Sequence, residues 1–290
     1  MNLEAMTKIG LENGRDNSEL ITIKPIDGGS INEAFYVKTR EGEYFMKHHA
    51  NSQKDFFKNE AIGLRIIKET ETISVPNYLS YSDKPGEAFL LMEWIEGKKS
   101  GDTESILGRN LAQLHRTFGT MHGFENDTYI GILDQPNELE PNWLAYFREN
   151  RLNYHVKNAI DKGLLVGSRK DKFLKLLDNL DKWIPTFVEP SYLHGDLYSG
   201  NWLVGASGEP YLVDPSFFYG DRHLEIAFTE VFGGFSKEFY DSYNESFPLH
   251  ENYQDIKQIY QLYYILVHFI MFGEAYGKRI DEILNYYVSK

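Results

Sequence analysis

The chain has 290 residues, 42% of them hydrophobic and 25% charged, which is the balance of a globular protein with one large domain or two lobes around a cleft. Its net charge of −13 repels phosphate backbones and anionic lipid, which argues against nucleic acid and membrane partners. It has no cysteine, so disulfides, thiolate metal sites and cysteine nucleophiles are excluded, and a reducing cytoplasm is the expected compartment.

The first residues, Met1-Asn2-Leu3-Glu4-Ala5, lack the basic and apolar regions of a signal peptide. Residues 20–26, 34–38 and 43–48 read as strands, with Thr39-Arg40-Glu41-Gly42 turning between the last two. Between the first two strands, Gly28 and Gly29 let backbone approach a phosphate closely and Ser30 adds a hydroxyl donor, although Gly-Gly-Ser is also an ordinary hairpin turn. Alternation puts Lys47 on the same strand face as Phe45, where it can meet phosphates; a strand-end lysine reaching solvent is the plainer alternative. A helix over about 55–69 carries Phe57, Glu60, Leu64 and Ile67 on one stripe. A carboxylate on an apolar stripe is costly without a partner, and Lys47 is the natural one for Glu60. Residues 87–93 form a further strand, and Glu93, Trp94 and Ile95 begin a connector whose backbone is expected to receive an adenine ring.

From Thr103 onward the pattern is mostly helical. Ile106, Leu107, Leu111 and Leu114 repeat at helical spacing, and His115 after them reads as a packed core histidine. Residues 142–162 and 169–183 give two more helices. A hairpin spans 202–205 and 210–213, and 224–288 is helical, with the apolar run from Leu262 to Phe272 too short to span a bilayer. The layout is α+β and bilobal: a small β-rich lobe over 1–93, a hinge at 94–97, and a larger helical lobe over 98–290. The sequence carries no signal for oligomeric state.

Where the second lobe's helices break, His194-Gly195-Asp196-Leu197-Tyr198-Ser199-Gly200-Asn201 has the H-x-D-L-x-x-x-N spacing of a kinase catalytic loop, and Asp214-Pro215 follows one hairpin later. Phosphoryl transfer from ATP needs a carboxylate for the acceptor's proton, oxygen ligands for Mg²⁺, and a scaffold that aligns both. Asp196 is the expected base; Asn201 and Asp214 are the expected metal ligands, their oxygens suiting a hard cation. His194 reads as structural, holding the loop in shape. The expected fold is therefore protein-kinase-like.

The run from Leu193 to Asn201, with Gly28-Gly29-Ser30-Ile31-Asn32, Asp214-Pro215-Ser216-Phe217-Phe218-Tyr219-Gly220, Phe232-Gly233-Gly234-Phe235, and Tyr260 to Tyr264 with Phe272-Gly273, resembles the fructosamine kinase family, within the wider aminoglycoside phosphotransferase and choline kinase-like superfamily. The resemblance covers about residue 25 to the end. It implies ATP- and Mg²⁺-dependent phosphorylation of ketosamines at a sugar hydroxyl, O3, giving an unstable product that frees the amine, whether the substrate is a free small ketosamine or a glycated protein side chain. It also marks departures. Tyr198 stands where the family usually has Trp, which leaves a smaller aromatic platform and favours ribulosamines over fructosamines. His223 replaces an acid, Glu225 replaces the aspartate that braces the catalytic loop, and Val267 precedes His268 where Asn is common. Tyr198, Trp202, Trp143, Asp221 and His223 are the candidate walls of a substrate pocket. Two other readings stay open: a kinase for another small alcohol such as choline, homoserine or an aminoglycoside, and a catalytically silent ATP-binding protein.

Overall fold

The computed structural model describes residues 2–27 and 31–289. The sequence expectations for Gly28, Gly29 and Ser30 lie outside the described residues.

The chain opens with α1 (Leu3–Asn13), whose Asn2 cap accepts the Ala5 N–H at 2.8 Å. A five-stranded antiparallel sheet follows, made of β1 (Leu20–Ile26), β2 (Glu33–Thr39), β3 (Glu43–His49), β4 (Tyr78–Ser82) and β5 (Ala88–Glu93) in the order β1-β2-β3-β5-β4. Helix α2 (Phe56–Glu69) crosses from β3 to β4. The sheet is covered on both faces, and the strand period shows how. On β5, Phe89 and Leu91 pack with Met6, Leu11 and Met46 under α1, while Ala88, Leu90 and Met92 join Phe57, Ala61 and Leu64 of α2 in the main core. A strand buried on both faces reads as an unbroken apolar run, and Ala88-Phe89-Leu90-Leu91-Met92 is one.

The large lobe begins with α3 (Thr103–His115) and then a short hairpin, β6 (Thr128–Ile130) and β7 (Leu133–Gln135). A continuous helical run follows: α4 (Trp143–Tyr146), a π-helical stretch Phe147–Asn153, and α5 (Tyr154–Asp161). Next come α6 (Gly167–Asp178) and a 3₁₀ turn Leu180–Lys182, then β8 (Ser191–Leu193), β9 (Trp202–Val204), β10 (Pro210–Leu212) and β11 (Phe218–Gly220). β8 pairs with β11 and β9 with β10, both antiparallel. Helices α7 (Arg222–Thr229), α8 (Lys237–Ser246), α9 (Tyr253–Phe272) and α10 (Gly277–Val288) complete the chain. α9 is the axis of the lobe: Ile259 through Val267 are buried without a break, flanked by α5, α7 and α10. Among the described residues, no helix is long and apolar enough to cross a membrane.

The two-lobe α+β architecture agrees with the sequence reading. Helix α1, strand β4 and the β6–β7 hairpin, in a stretch read as helical, were not anticipated. The hairpin matters most, because it ties the small lobe to the large one. Tyr129 donates its hydroxyl to the Lys54 carbonyl at 2.8 Å, Gln53 Nε2 donates to the Ile132 carbonyl at 3.0 Å, and Asn59 Nδ2 donates to the Asp127 carbonyl at 2.8 Å. These bonds fix α2 and the loop before it against the large lobe.

Asp16, in the turn after α1, is only 5% exposed. Its carboxylate accepts from the Ser18 N–H at 2.8 Å, the Thr39 hydroxyl at 2.7 Å and the Tyr44 hydroxyl at 2.9 Å, joining α1 to the β2–β3 hairpin. Burial pushes its pKa up, but these hydrogen bonds prevail and hold it at about 2 against an ordinary 3.8. A depressed carboxylate stabilises the fold above its unfolded value and loses that contribution as pH falls through the folded one. Asp16→Ala is therefore expected to cost about 2 kcal/mol at pH 7, with the gap to wild type closing between about pH 4 and pH 2. Urea midpoints across that range test it, and an unchanged midpoint at pH 7 would refute it.

Candidate active site

β8 and β11 lie side by side, so the loop after β8 and the turn before β11 meet below the sheet. The loop is built by its own backbone. His194 Nε2 donates to the Val213 carbonyl at 2.7 Å, which leaves Nδ1 to accept the Asp196 N–H at 3.3 Å. Burial holds this imidazole below its ordinary pKa, consistent with the neutral tautomer those bonds require. Gly195 has φ +87°, and a Cβ there would lie 2.0 Å from the Ser216 carbonyl oxygen, so only glycine fits.

Glu225 of α7 braces this loop from beneath. Its Oε1 accepts the Gly195 N–H at 2.6 Å and its Oε2 the His194 N–H at 3.1 Å. The longer side chain in place of aspartate thus still reaches both amides. Oε2 also accepts from His115 Nε2 at 2.8 Å. His115 Nδ1 in turn accepts the Tyr243 hydroxyl at 2.7 Å, whose oxygen takes a hydrogen bond from Arg222 at 3.1 Å. His115 is fully buried and packed, as its place after an apolar helix face suggests.

Above the loop, Lys47 is 4% exposed and donates to Glu60 Oε1 at 2.7 Å, and its ammonium also bonds the Asp214 carboxylate. Burial pulls the Lys47 ammonium down, but Asp214 and Glu60 outweigh it and hold it above its ordinary value. Burial raises Glu60, more than Lys47 lowers it. Asp196 is pushed well up by burial, then by Asp214 and Glu225. Asn201 donates its Nδ2 to the Asp196 carbonyl at 2.8 Å, leaving its Oδ1 as the oxygen free for a cation.

Lys47, Asp196 and Asp214 border two adjoining cavities. The larger has a volume of about 370 Å³, the scale of a small-molecule site, and runs from Asp196 and Tyr198 past Asn201 to Phe45 and the connector Glu93-Trp94-Ile95. In that connector the Glu93 N–H bonds the Asn77 carbonyl at 2.9 Å and the Trp94 N–H bonds the Glu43 carbonyl at 3.1 Å. The Glu93 carboxylate is held by Asn77. Of these three residues, Ile95 is the one whose N–H is left for a ligand. The smaller cavity is walled by Thr128, Tyr129 and Gly131 of the β6–β7 hairpin, which sequence reasoning missed; Thr128 to Leu133 does carry a β-rich pattern broken by glycine.

Four of the candidate pocket walls are corrected by the structure. Trp143 is fully buried, its indole donating to the Tyr260 hydroxyl at 2.8 Å. That hydroxyl donates to Asp221, which also accepts from His223 Nδ1 at 2.6 Å and from the His223 N–H, capping α7. With Tyr260 of α9 between them, the three form a polar knot that ties α4 and the start of α7 to α9, and they line neither cavity. Trp202 is 6% exposed and stacks on Phe235 with Lys99 over its ring; strand alternation gives the cavity wall to Leu203 instead. Tyr198 does border the larger cavity and is 37% exposed.

The arrangement can bind a nucleotide along the sheet and bring a hydroxyl to Asp196. Known proteins agree with that chemistry. The family model described as fructosamine kinase matches residues 4–290. An Enterococcus faecium protein named "Probable ketoamine kinase" is 38% identical over 262 residues, covering 90% of this chain and 93% of that one. "Protein-ribulosamine 3-kinase, chloroplastic" of Arabidopsis thaliana is 32% identical over 277 residues, covering 93% and 84%. A Haemophilus somnus crystal structure named "Putative fructosamine-3-kinase" superposes with a TM-score of 0.86 at 29% identity, covering 97% and 96%.

Proposed function

The chain belongs to the fructosamine kinase family, and on that premise we propose that it phosphorylates the O3 hydroxyl of a ketosamine with ATP, leading to loss of the sugar and recovery of the amine. The observation that carries this reading is the convergence of Lys47, Glu60, Asp196, Asn201 and Asp214 on one cleft.

In this reading residues 1–93 bind nucleotide, 94–97 form the hinge, and 98–290 hold the catalytic loop and acceptor pocket, in a cytoplasmic enzyme. The Ile95 N–H meets the adenine, and Gly28, Gly29 and Ser30 meet the phosphates. Lys47, aligned by Glu60, holds the α- and β-phosphates. The free Oδ1 of Asn201 and the partly exposed carboxylate of Asp214 would hold Mg²⁺. Two protein oxygens suit a cation that keeps several waters and leans on substrate phosphates. When bound, Mg²⁺ supplies neutralisation of phosphate charge. Asp196 accepts the acceptor's hydroxyl proton. Burial and the carboxylates around it make it a better proton acceptor than a solvated aspartate. The Tyr198 ring offers the sugar a flat face beside Asp196.

ATP consumption measured with ribulosyl-lysine, fructosyl-lysine, choline, homoserine and an aminoglycoside tests the reading. Ketosamines are expected to be turned over, with ribulosyl-lysine about 10–200-fold ahead in kcat/KM because the smaller Tyr198 platform loses about one carbon's contact to a longer sugar. Turnover of choline or homoserine with none of either ketosamine would overturn it.

A further inference from the structure

Outside the cleft just described, the large lobe exposes two aromatic rings with two half-buried ones between and beside them. Phe232, in the turn after α7, is 43% exposed, and Phe272, at the end of α9, is 49% exposed. His268 sits between them, 4.8 Å from the Phe232 ring and 5.8 Å from the Phe272 ring. Tyr276 closes the group, 5.3 Å from His268 and 6.4 Å from both phenylalanines. Scattered exposed apolar side chains are ordinary, but a contiguous patch marks a binding surface.

The patch is linked to the catalytic loop through the buried Phe228. Phe232 lies 6.0 Å from Phe228, and Phe228 lies 6.4 Å from Tyr198 and stacks on Tyr264 at 3.7 Å. The Tyr264 hydroxyl donates to the Gly195 carbonyl at 3.1 Å. Gly234, at φ +93°, lies so near the loop that a Cβ would come within 2.5 Å of the Ser199 side chain. On the other side, a Cβ on Gly131, which borders the Asp196 cavity, would lie 2.6 Å from Met271 Sδ, next to Phe272. The patch therefore sits against the loop that carries Asp196.

The charge around the patch limits what can lie on it. Glu230 is taken by Lys257 and Tyr253, and Glu274 by Arg169. Burial holds His268 below its ordinary pKa, so its ring adds no positive charge near neutrality. With those carboxylates already paired, the patch itself offers a set of π faces. Such faces attract a cation through the ring quadrupole. A ketosamine carries one: its secondary amine is protonated near neutral pH and sits directly beyond the sugar.

We propose that Phe232, Phe272, Tyr276 and His268 form a shelf that binds the protonated amine and adjoining chain of the ketosamine while the sugar lies on Tyr198. The inference rests on the ketosamine kinase reading and adds to it the element that separates a sugar–amine adduct from a free sugar. The shelf is open to solvent at Phe232 and Phe272, so the substituent on the nitrogen runs outward, as a lysine side chain would.

The test compares wild type with Phe232→Ala, Phe272→Ala and Phe232→Leu on ribulosyl-lysine and on free ribulose, which lacks the amine. Thermal melting checks that each variant is folded. Both alanine variants are expected to raise KM for ribulosyl-lysine about tenfold, with KM for ATP unchanged and kcat/KM for ribulose unchanged. Phe232→Leu keeps apolar area without the quadrupole, so it should behave like the alanine variant. Wild-type KM values in both alanine variants would overturn the shelf while leaving the ketosamine kinase reading intact. An equal loss on ribulose, or a Phe232→Leu variant indistinguishable from wild type, would overturn recognition of the amine by the rings. A wild-type enzyme inactive on every ketosamine would fell the functional reading first, and the shelf with it.

Discussion

Asp196→Asn is expected to lower kcat by about 10²–10⁴ while leaving KM for ATP within a few-fold, because the proton acceptor contributes to the transition state and little to nucleotide binding. The substitution is nearly isosteric. Asn201 Nδ2 bonds the Asp196 backbone carbonyl at 2.8 Å and approaches its Oδ2 only at 3.3 Å, so the backbone contact that shapes the loop survives the change. The loop is also held by His194, by Glu225 and by the Tyr264 hydroxyl, none of which contacts the Asp196 side chain. Removing a carboxylate from beside Asp214 and Glu225 relieves repulsion, so the variant should melt no lower than wild type. Steady-state kinetics with ribulosyl-lysine, together with a nucleotide titration, give both numbers. A kcat near wild type would remove Asp196 from the mechanism, and a parallel collapse of ATP binding would mean that it serves the nucleotide instead.

The site was legible in the sequence where its parts are close along the chain or fall on one periodic face. The loop from His194 to Asn201 is a single local run, so its spacing survives in one dimension. Lys47 and Glu60 lie on different elements, yet the helical stripe through Phe57, Leu64 and Ile67 shows that Glu60 faces inward, and the 2.7 Å ion pair follows from the cost of leaving it alone there. What escaped depends on contacts that no local pattern encodes. β6 and β7 are three residues each, too short to display alternation, and their hold on α2 runs through the backbone carbonyls of Lys54, Asp127 and Ile132. Trp143, Asp221 and His223 have the residue types of a binding wall, but a buried indole needs an acceptor and a helix start needs a cap, and here the Tyr260 hydroxyl accepts from the one and donates to the other. Trp202 was misplaced by one step of strand alternation, which turned the wrong neighbour toward the cleft. In the connector, the donors already claimed by Asn77 and Glu43 could be known only once β4 and β3 were in register beside it.

The substitution Glu225→Gln is expected to lower kcat about 10²-fold in a protein that still folds, because it loosens the loop that aims Asp196 without touching any reacting atom. The carboxylate has two oxygens, and both accept: one from the Gly195 N–H, the other from the His194 N–H and from His115. A glutamine offers one acceptor. Its amide nitrogen must then face one of two backbone N–H groups, donor against donor, and a buried N–H loses its partner. Rotating the amide only changes which one. The far side cannot compensate. His115 can present a lone pair only by exchanging its tautomer, and its Nδ1 already accepts the Tyr243 hydroxyl, which in turn takes a bond from Arg222. A change at Glu225 thus propagates through a chain of hydrogen bonds whose directions are all set. Glu225→Ala would leave His115 and both amides unpaired in the core, at about 3–5 kcal/mol, and could simply fail to fold; this makes the glutamine variant the informative one. A positioning role predicts a split that a purely structural role would not: at a temperature where melting shows the variant fully folded, kcat falls while KM for ATP, set by Lys47 and the connector, stays within a few-fold. If folded Glu225→Gln turns over at the wild-type rate, the brace is a matter of stability alone, and the aim of Asp196 must come from His194 and Asn201.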